Sequence, residues 1–104
     1  MKYKSARSRA TDIPKEVKQK VLERDGCCII CGKRGMPNAH YISRQRGGLG
    51  IEENICTLCT ECHYQYDFGD KKTQESIRYV LKEYLTKHYP NFNENNLIYK
   101  RWDF

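Results

Sequence analysis

Cys28-Ile29-Ile30-Cys31 and Cys59-Thr60-Glu61-Cys62-His63 are the stretches on which the reading of this chain turns. Each sets two thiols at the spacing where a tight turn lets both sulfurs reach one metal ion. Four thiolates in two such pairs close a tetrahedron around zinc and pin together the ends of the segment between them. Other pairings compete, because Cys27 can stand with Cys31 and Cys56 with Cys59. Two CxxC turns of equal geometry favour Cys28, Cys31, Cys59 and Cys62 as structural zinc ligands, with no coordination position left open. Cys56, in a strand-like run, then reads as a small buried side chain. Cys27 is left either buried or exposed.

Around this staple the chain is short. At 104 residues it makes one small domain, of a size whose own core gives marginal stability. Zinc held by four thiolates supplies ~10–16 kcal/mol of apparent folding energy, which compensates. Lysine and arginine number 19 against 13 acidic residues, a net charge of +6, so a polyanion is a natural partner. The first ten residues, MKYKSARSRA, have no apolar stretch of the secretory kind. No run approaches the ~20 apolar residues of a membrane span. Six cysteines without an export signal point to metal binding in a reducing compartment rather than to a disulfide scaffold.

Residues 1–11, with Lys2, Lys4, Arg7 and Arg9, read as a flexible basic arm, and residues 12–104 as one domain. Thr11 or Asp12 can cap a helix with Pro14 in its first turn, running to about Arg24 with Val17, Val21 and Leu22 on one face and ending at Asp25-Gly26. Residues 38–43 and 55–58 read as short strands, separated by the glycine-rich loop of residues 46–50, flexible enough to bring backbone close to a ligand. The second knuckle opens a helix ending near Phe68, with Gly69 as its cap. A longer helix from about Lys72 to Tyr89 carries an apolar stripe of Ile77, Val80, Leu81, Tyr84, Leu85 and His88, and Pro90 stops it. The aromatic-rich tail is expected to pack back on the core. The fold class is therefore small α+β: a zinc-stapled ββα core with flanking N- and C-terminal helices.

A second polar set stands beside the staple without being needed to build it. His63 and Asp67 are four residues apart on the helix after the second knuckle, so both project from one face. An imidazole and a carboxylate so placed bind a divalent cation and leave positions for water and phosphate. His63 has another possible role, as a zinc ligand in place of Cys62. His40 sits on the first strand, just before the glycine-rich loop. Arg44 and Arg46 flank that loop and are expected to hold phosphates, with Lys33, Arg34 and the arm as outer contacts. His88 reads as a packing or helix-end residue and stays outside the site.

The stretch from Val21 to Gly69, VLERDGCCIICGKRGMPNAHYISRQRGGLGIEENICTLCTECHYQYDFG, resembles an HNH endonuclease (His-Me finger) of the bacteriophage type. The matching elements are the RDG-x-C-x-x-C start, the AHYI strand, the GGLGIEEN loop and the TLCTECH helix entry, together about half of the chain. The tail, YPNFN followed by LIYKRW, is similar to tails in the same phage group. The resemblance implies a ββα-metal core over residues 21–69, followed by the helix and tail of residues 70–104. It implies His40 as general base, Asn54 as the residue that braces the loop and orients that base by hydrogen bonding, and His63 as a ligand of the catalytic metal. Asp67 stands where many relatives place a further histidine. Many members also carry Asp or His just before the base, where this chain has Ala39.

The function implied is metal-dependent hydrolysis of DNA phosphodiester bonds, by nicking or double-strand cleavage. The catalytic cation would be Mg2+, Mn2+, Ni2+ or Zn2+, and DNA would be held mainly through its phosphate backbone. The resemblance also implies work beside a phage terminase, in the cytoplasm of a bacterial host cell and away from membranes. The alternative is a catalytically weak or inactive zinc-ribbon DNA-binding module, in which Ala39 records lost chemistry.

Overall fold

The computed structural model describes residues 5–100. Within them residues 6–11 are not an arm but a helix, α1 (Ala6–Thr11); residues 1–4 of the expected arm lie outside the described residues. A helix of six residues is unstable alone. It forms here because Ser5 caps it, and because the Arg7 guanidinium donates to the carbonyls of Arg44 at 3.0 Å and Gln45 at 2.7 Å. The Gly50 N–H also donates to the Ala10 carbonyl at 3.0 Å. No apolar periodicity announces such a helix, since its partners are distant backbone groups.

The next helix, α2 (Lys15–Asp25), begins one residue after Pro14, and neither Thr11 nor Asp12 caps it. It ends at Gly26, whose φ of +75° is the left-handed conformation that suits glycine. Val21 is its buried residue, while Leu22 is exposed. At its end Arg24 and Asp25 turn inward. The buried Asp25 carboxylate accepts from Arg24 Nε at 2.6 Å, the Thr57 N–H at 2.8 Å and the Tyr84 hydroxyl at 2.6 Å. Arg24 also donates to the carbonyls of Glu52 and Ile55. One ion pair thus ties α2 to the second strand and to the long helix. The RDG stretch does structural work that its sequence did not disclose.

Strand β1 (Met36–His40) starts and ends earlier than expected. It pairs antiparallel with β2 (Ile55–Leu58), with Ala39 opposite Cys56 and His40 opposite Ile55. The register is irregular between Met36 and Ala39, where Pro37 has no N–H to give the ladder. Every β2 residue is buried.

Cys59 caps α3 (Thr60–Phe68), its thiol accepting from the Cys62 N–H. Gly69 ends that helix with an ordinary φ of −70°, so the glycine is there for space. A Cβ at this position would stand 2.4 Å from the Gln65 carbonyl oxygen. Asp70 caps α4 (Lys71–His88), which buries Ile77, Leu81 and Leu85. Val80 and His88 lie outside its buried stripe.

As far as Lys100 the tail returns to the core; its residues 101–104 lie outside the described residues. Leu97 is buried, Phe92 packs against Tyr41, and Glu94 accepts a hydrogen bond from the Tyr41 hydroxyl. It also covers the glycine-rich loop, through Leu49 N–H to the Leu97 carbonyl and a bridge between Gly48 and Ile98. The glycines of that loop admit the chain's own backbone rather than a ligand. A Cβ at Gly48 would lie 1.7 Å from the Ile42 oxygen, and one at Gly50 1.8 Å from the Asp12 oxygen.

Candidate metal centre and cleft

The sulfurs of Cys28, Cys31, Cys59 and Cys62 all lie within 4.8 Å of one another, with 3.6 Å between those of Cys31 and Cys59. Zinc bonded to four sulfurs at ~2.3 Å needs them about 3.8 Å apart, so this donor set fits a structural zinc. Cys56 is buried in the core and Cys27 is half-buried outside the cluster, which resolves the competing pairings. The first turn is closed by Gly32 N–H to the Cys28 carbonyl, and the second is the capped start of α3. Burial pushes the Cys28 thiol up, but N–H groups of Cys31, Cys59 and Ile30 outweigh it and bring the thiol down to about 7. Burial and the neighbouring thiols hold Cys62 far above the usual thiol range. Metal uptake must therefore expel protons.

Beside this cluster opens a cleft of about 710 Å³, lined by His40, His63, Asp67, Arg44 and Arg46 among others. His63 is not part of the thiol cluster. Its Nε2 lies 3.4 Å from the Asp67 carboxylate, one turn further along α3. Both are partly exposed.

His40, half-buried at the end of β1, has its Nε2 2.8 Å from the Thr11 carbonyl oxygen. A carbonyl can only accept, so Nε2 carries the proton and Nδ1 keeps its lone pair. Burial pushes the His40 pKa below its ordinary value, and Arg44 and His63 push the same way; the Thr11 carbonyl and Asp67 oppose them.

Asn54 is fully buried, and its hydrogen bonds go elsewhere than to that ring. Its Oδ1 accepts from the Ile42 N–H at 2.8 Å, and its Nδ2 donates to the carbonyls of Ile42 at 3.1 Å and Leu49 at 2.9 Å. These bonds tie Ile42 to Leu49 across the loop, and the hydrogen-bond partner of His40 is Thr11 rather than Asn54. Ala39 has no exposure and packs in the core cluster with Cys28, Cys56 and Leu58. The residue before His40 therefore faces the interior.

The two arginines differ. Arg44 donates to the Asp12 carboxylate at 2.6 Å, so one expected phosphate contact is already ion-paired. Arg46 is exposed on the cleft, and Lys33 and Arg34 are exposed elsewhere. By sequence Thr11 and Asp12 read only as helix caps; their contacts with His40 and Arg44 lie 29 and 32 residues away and leave no local signal. Lys71, Gln74 and Arg78 also line the cleft. Their spacing of three and four along α4 is a polar helical row that the sequence does display.

No family model, curated protein or solved structure matches the chain. Among the described residues no helix is long and apolar enough to cross a membrane.

Proposed function

We propose that this chain is a metal-dependent DNA endonuclease of the HNH kind, with zinc in the thiol cluster and the scissile phosphate in the cleft. One observation carries the reading: a half-buried imidazole, already tied through one nitrogen, shares an open cleft with an imidazole–carboxylate pair. The chain order of β1, β2 and α3 around four thiols supports it, being the ββα-metal order that the resemblance implies.

In this reading Nδ1 of His40 takes the proton of the attacking water. Burial keeps the ring neutral, and so able to accept, to lower pH than an exposed histidine. Asn54 holds the loop on which Arg44 and Arg46 meet phosphate oxygens. His63 and Asp67 are the protein donors for the catalytic cation, Mg2+, Mn2+, Ni2+ or Zn2+. When bound, it would supply positive charge to the transition state and to the leaving 3′-oxygen. Two donors leave the remaining positions to water and phosphate. Residence in a bacterial host's cytoplasm and partnership with a phage terminase belong to the same proposal.

A specific observation favours a second reading, a weak or inactive zinc-ribbon DNA-binding module. Among the described residues no second cluster of three metal-binding side chains accompanies the four thiols, and position 39 faces the core. A plasmid-nicking assay with zinc-loaded protein and a series of Mg2+, Mn2+ and Ni2+ separates the two. Nicking that disappears in a folded His40→Ala variant supports the nuclease. Salt-sensitive DNA binding without cleavage in any metal selects the module, and no DNA binding rejects both.

A further inference from the structure

On α3 the His63–Asp67 row has a neighbour. Tyr64 and Phe68 are also four residues apart, rotated from that row by about 100°. They are 60% and 72% exposed, with ring centroids 5.3 Å apart and planes tilted by 48°. Other aromatics are spent on the fold. The hydroxyls of Tyr41, Tyr66, Tyr84 and Tyr89 all hold partners, and these residues are largely covered. Tyr79, the other exposed tyrosine among the described residues, bonds Glu83 on α4. The α3 pair therefore leaves two large rings in water, Phe68 lining the cleft and Tyr64 against Phe68.

The same cleft presents Arg46 and Lys71, against the carboxylates of Asp67 and Glu75, in a chain of net charge +6. Cations that share a cleft with an exposed ring suit a polyanion that also carries flat apolar faces, which is a nucleic-acid strand. A duplex hides those faces within its own stack. Only a nucleotide whose base is unpaired can place its phosphate in the cleft and its ring on Phe68.

We propose that Tyr64 and Phe68 form a stacking platform for an unpaired base, so that the favoured substrate is single-stranded or locally opened DNA. The proposal rests on the nuclease reading of the cleft and adds its substrate class. A base on the platform holds the adjoining phosphate beside His40 and His63, which gives position without reading sequence.

The test uses full-length, zinc-loaded protein and three probes of equal length: a single strand containing 2-aminopurine, the same strand with abasic central positions, and the matching duplex. Wild type should bind the base-containing strand most tightly and quench its 2-aminopurine. Phe68→Ala should weaken that binding roughly tenfold and abolish the quench, while leaving the abasic strand and duplex unchanged. Phe68→Trp should restore both. Because the ring is exposed, zinc content and melting should stay at wild-type values in each variant. Equal binding of all three probes, or a loss from Phe68→Ala that also falls on the abasic strand, overturns the platform while leaving the nuclease reading intact. Binding to no probe overturns both. Self-association that Phe68→Ala abolishes would make a second copy the occupant and overturn the proposal.

Discussion

The thiol cluster and the cleft share α3, yet they are built on opposite terms. The cluster takes its donors from two tight turns, each closed by residues next to it in sequence, and its sulfurs have nothing left to bind once a cation is held. The cleft draws His40, Arg46, Asp67 and Lys71 from separate segments, with the Thr11 carbonyl behind His40, and its polar groups are only partly satisfied by one another. Closed polar groups give stability; open ones keep capacity for a ligand. The buried Arg24–Asp25 pair, which meets two tyrosines and three backbone groups, belongs with the first kind although no metal is involved.

The strongest way to break the comparison is at the cluster. Cys62→Ser should remove stoichiometric zinc and with it ~10–16 kcal/mol of folding energy, more than the ~5–15 kcal/mol net stability of most domains. Cooperative melting of the wild type should vanish in this variant or with a strong chelator. An unchanged melt with no zinc by elemental analysis would deny the cluster its structural role.

Next comes the ion pair. Asp25→Ala strands a largely buried guanidinium and should cost about 3–5 kcal/mol in urea denaturation. Asp67→Ala in the open cleft should cost less than about 1 kcal/mol in the same measurement. Equal costs would erase the distinction between closed and open groups.

At the cleft the expected change is in rate instead of stability. If the cleft is the proposed nuclease site, His40→Ala should lower nicking by ~10²–10⁴-fold in a protein that still melts cooperatively. Because burial, with Arg44 and His63 nearby, depresses the His40 pKa, the proposed activity should hold as pH falls and be half lost only below 6.5, the ordinary histidine value. A midpoint above that value in the pH–rate profile would show that the ring is not the base or not so placed.

The smallest effect concerns Glu94. The Tyr41 hydroxyl, with Lys82 and Arg78 nearby, holds its carboxyl below the usual range. Such a group binds fewer protons folded than unfolded. Its stabilisation is full above the unfolded value near 4.5 and is lost as pH falls through the lower folded value. At neutral pH Glu94→Gln should cost up to ~1 kcal/mol, discounted for partial exposure. The gap between variant and wild-type melting should close as pH falls from about 7 to about 3.

Local features survived the passage from sequence to structure best. The bounds of β2 and the start of α3 follow from an apolar run and a capping cysteine, and α4 differs from expectation by one residue at each end. Elements held by distant backbone groups did not. α1 has no stripe of its own, and β1 slid toward Pro37 because pairing with β2, rather than alternation, decides its register. The site divides the same way. His63 and Asp67 share a helix face by spacing alone, while the role of Thr11 rests on a main-chain oxygen, which no residue type reveals.

By itself the sequence determined that four thiols come in two chelating turns, that an imidazole and a carboxylate follow the second turn on one helix face, and that the chain is cationic. These depend on spacing within a few residues and on side-chain chemistry, which neighbours in sequence suffice to specify. Only the tertiary structure decided which nitrogen of His40 is free, that Asp12 holds Arg44, that Ala39 faces inward and that Phe68 stands at the cleft. Each of these depends on chain segments brought together by core packing, so no local pattern encodes it.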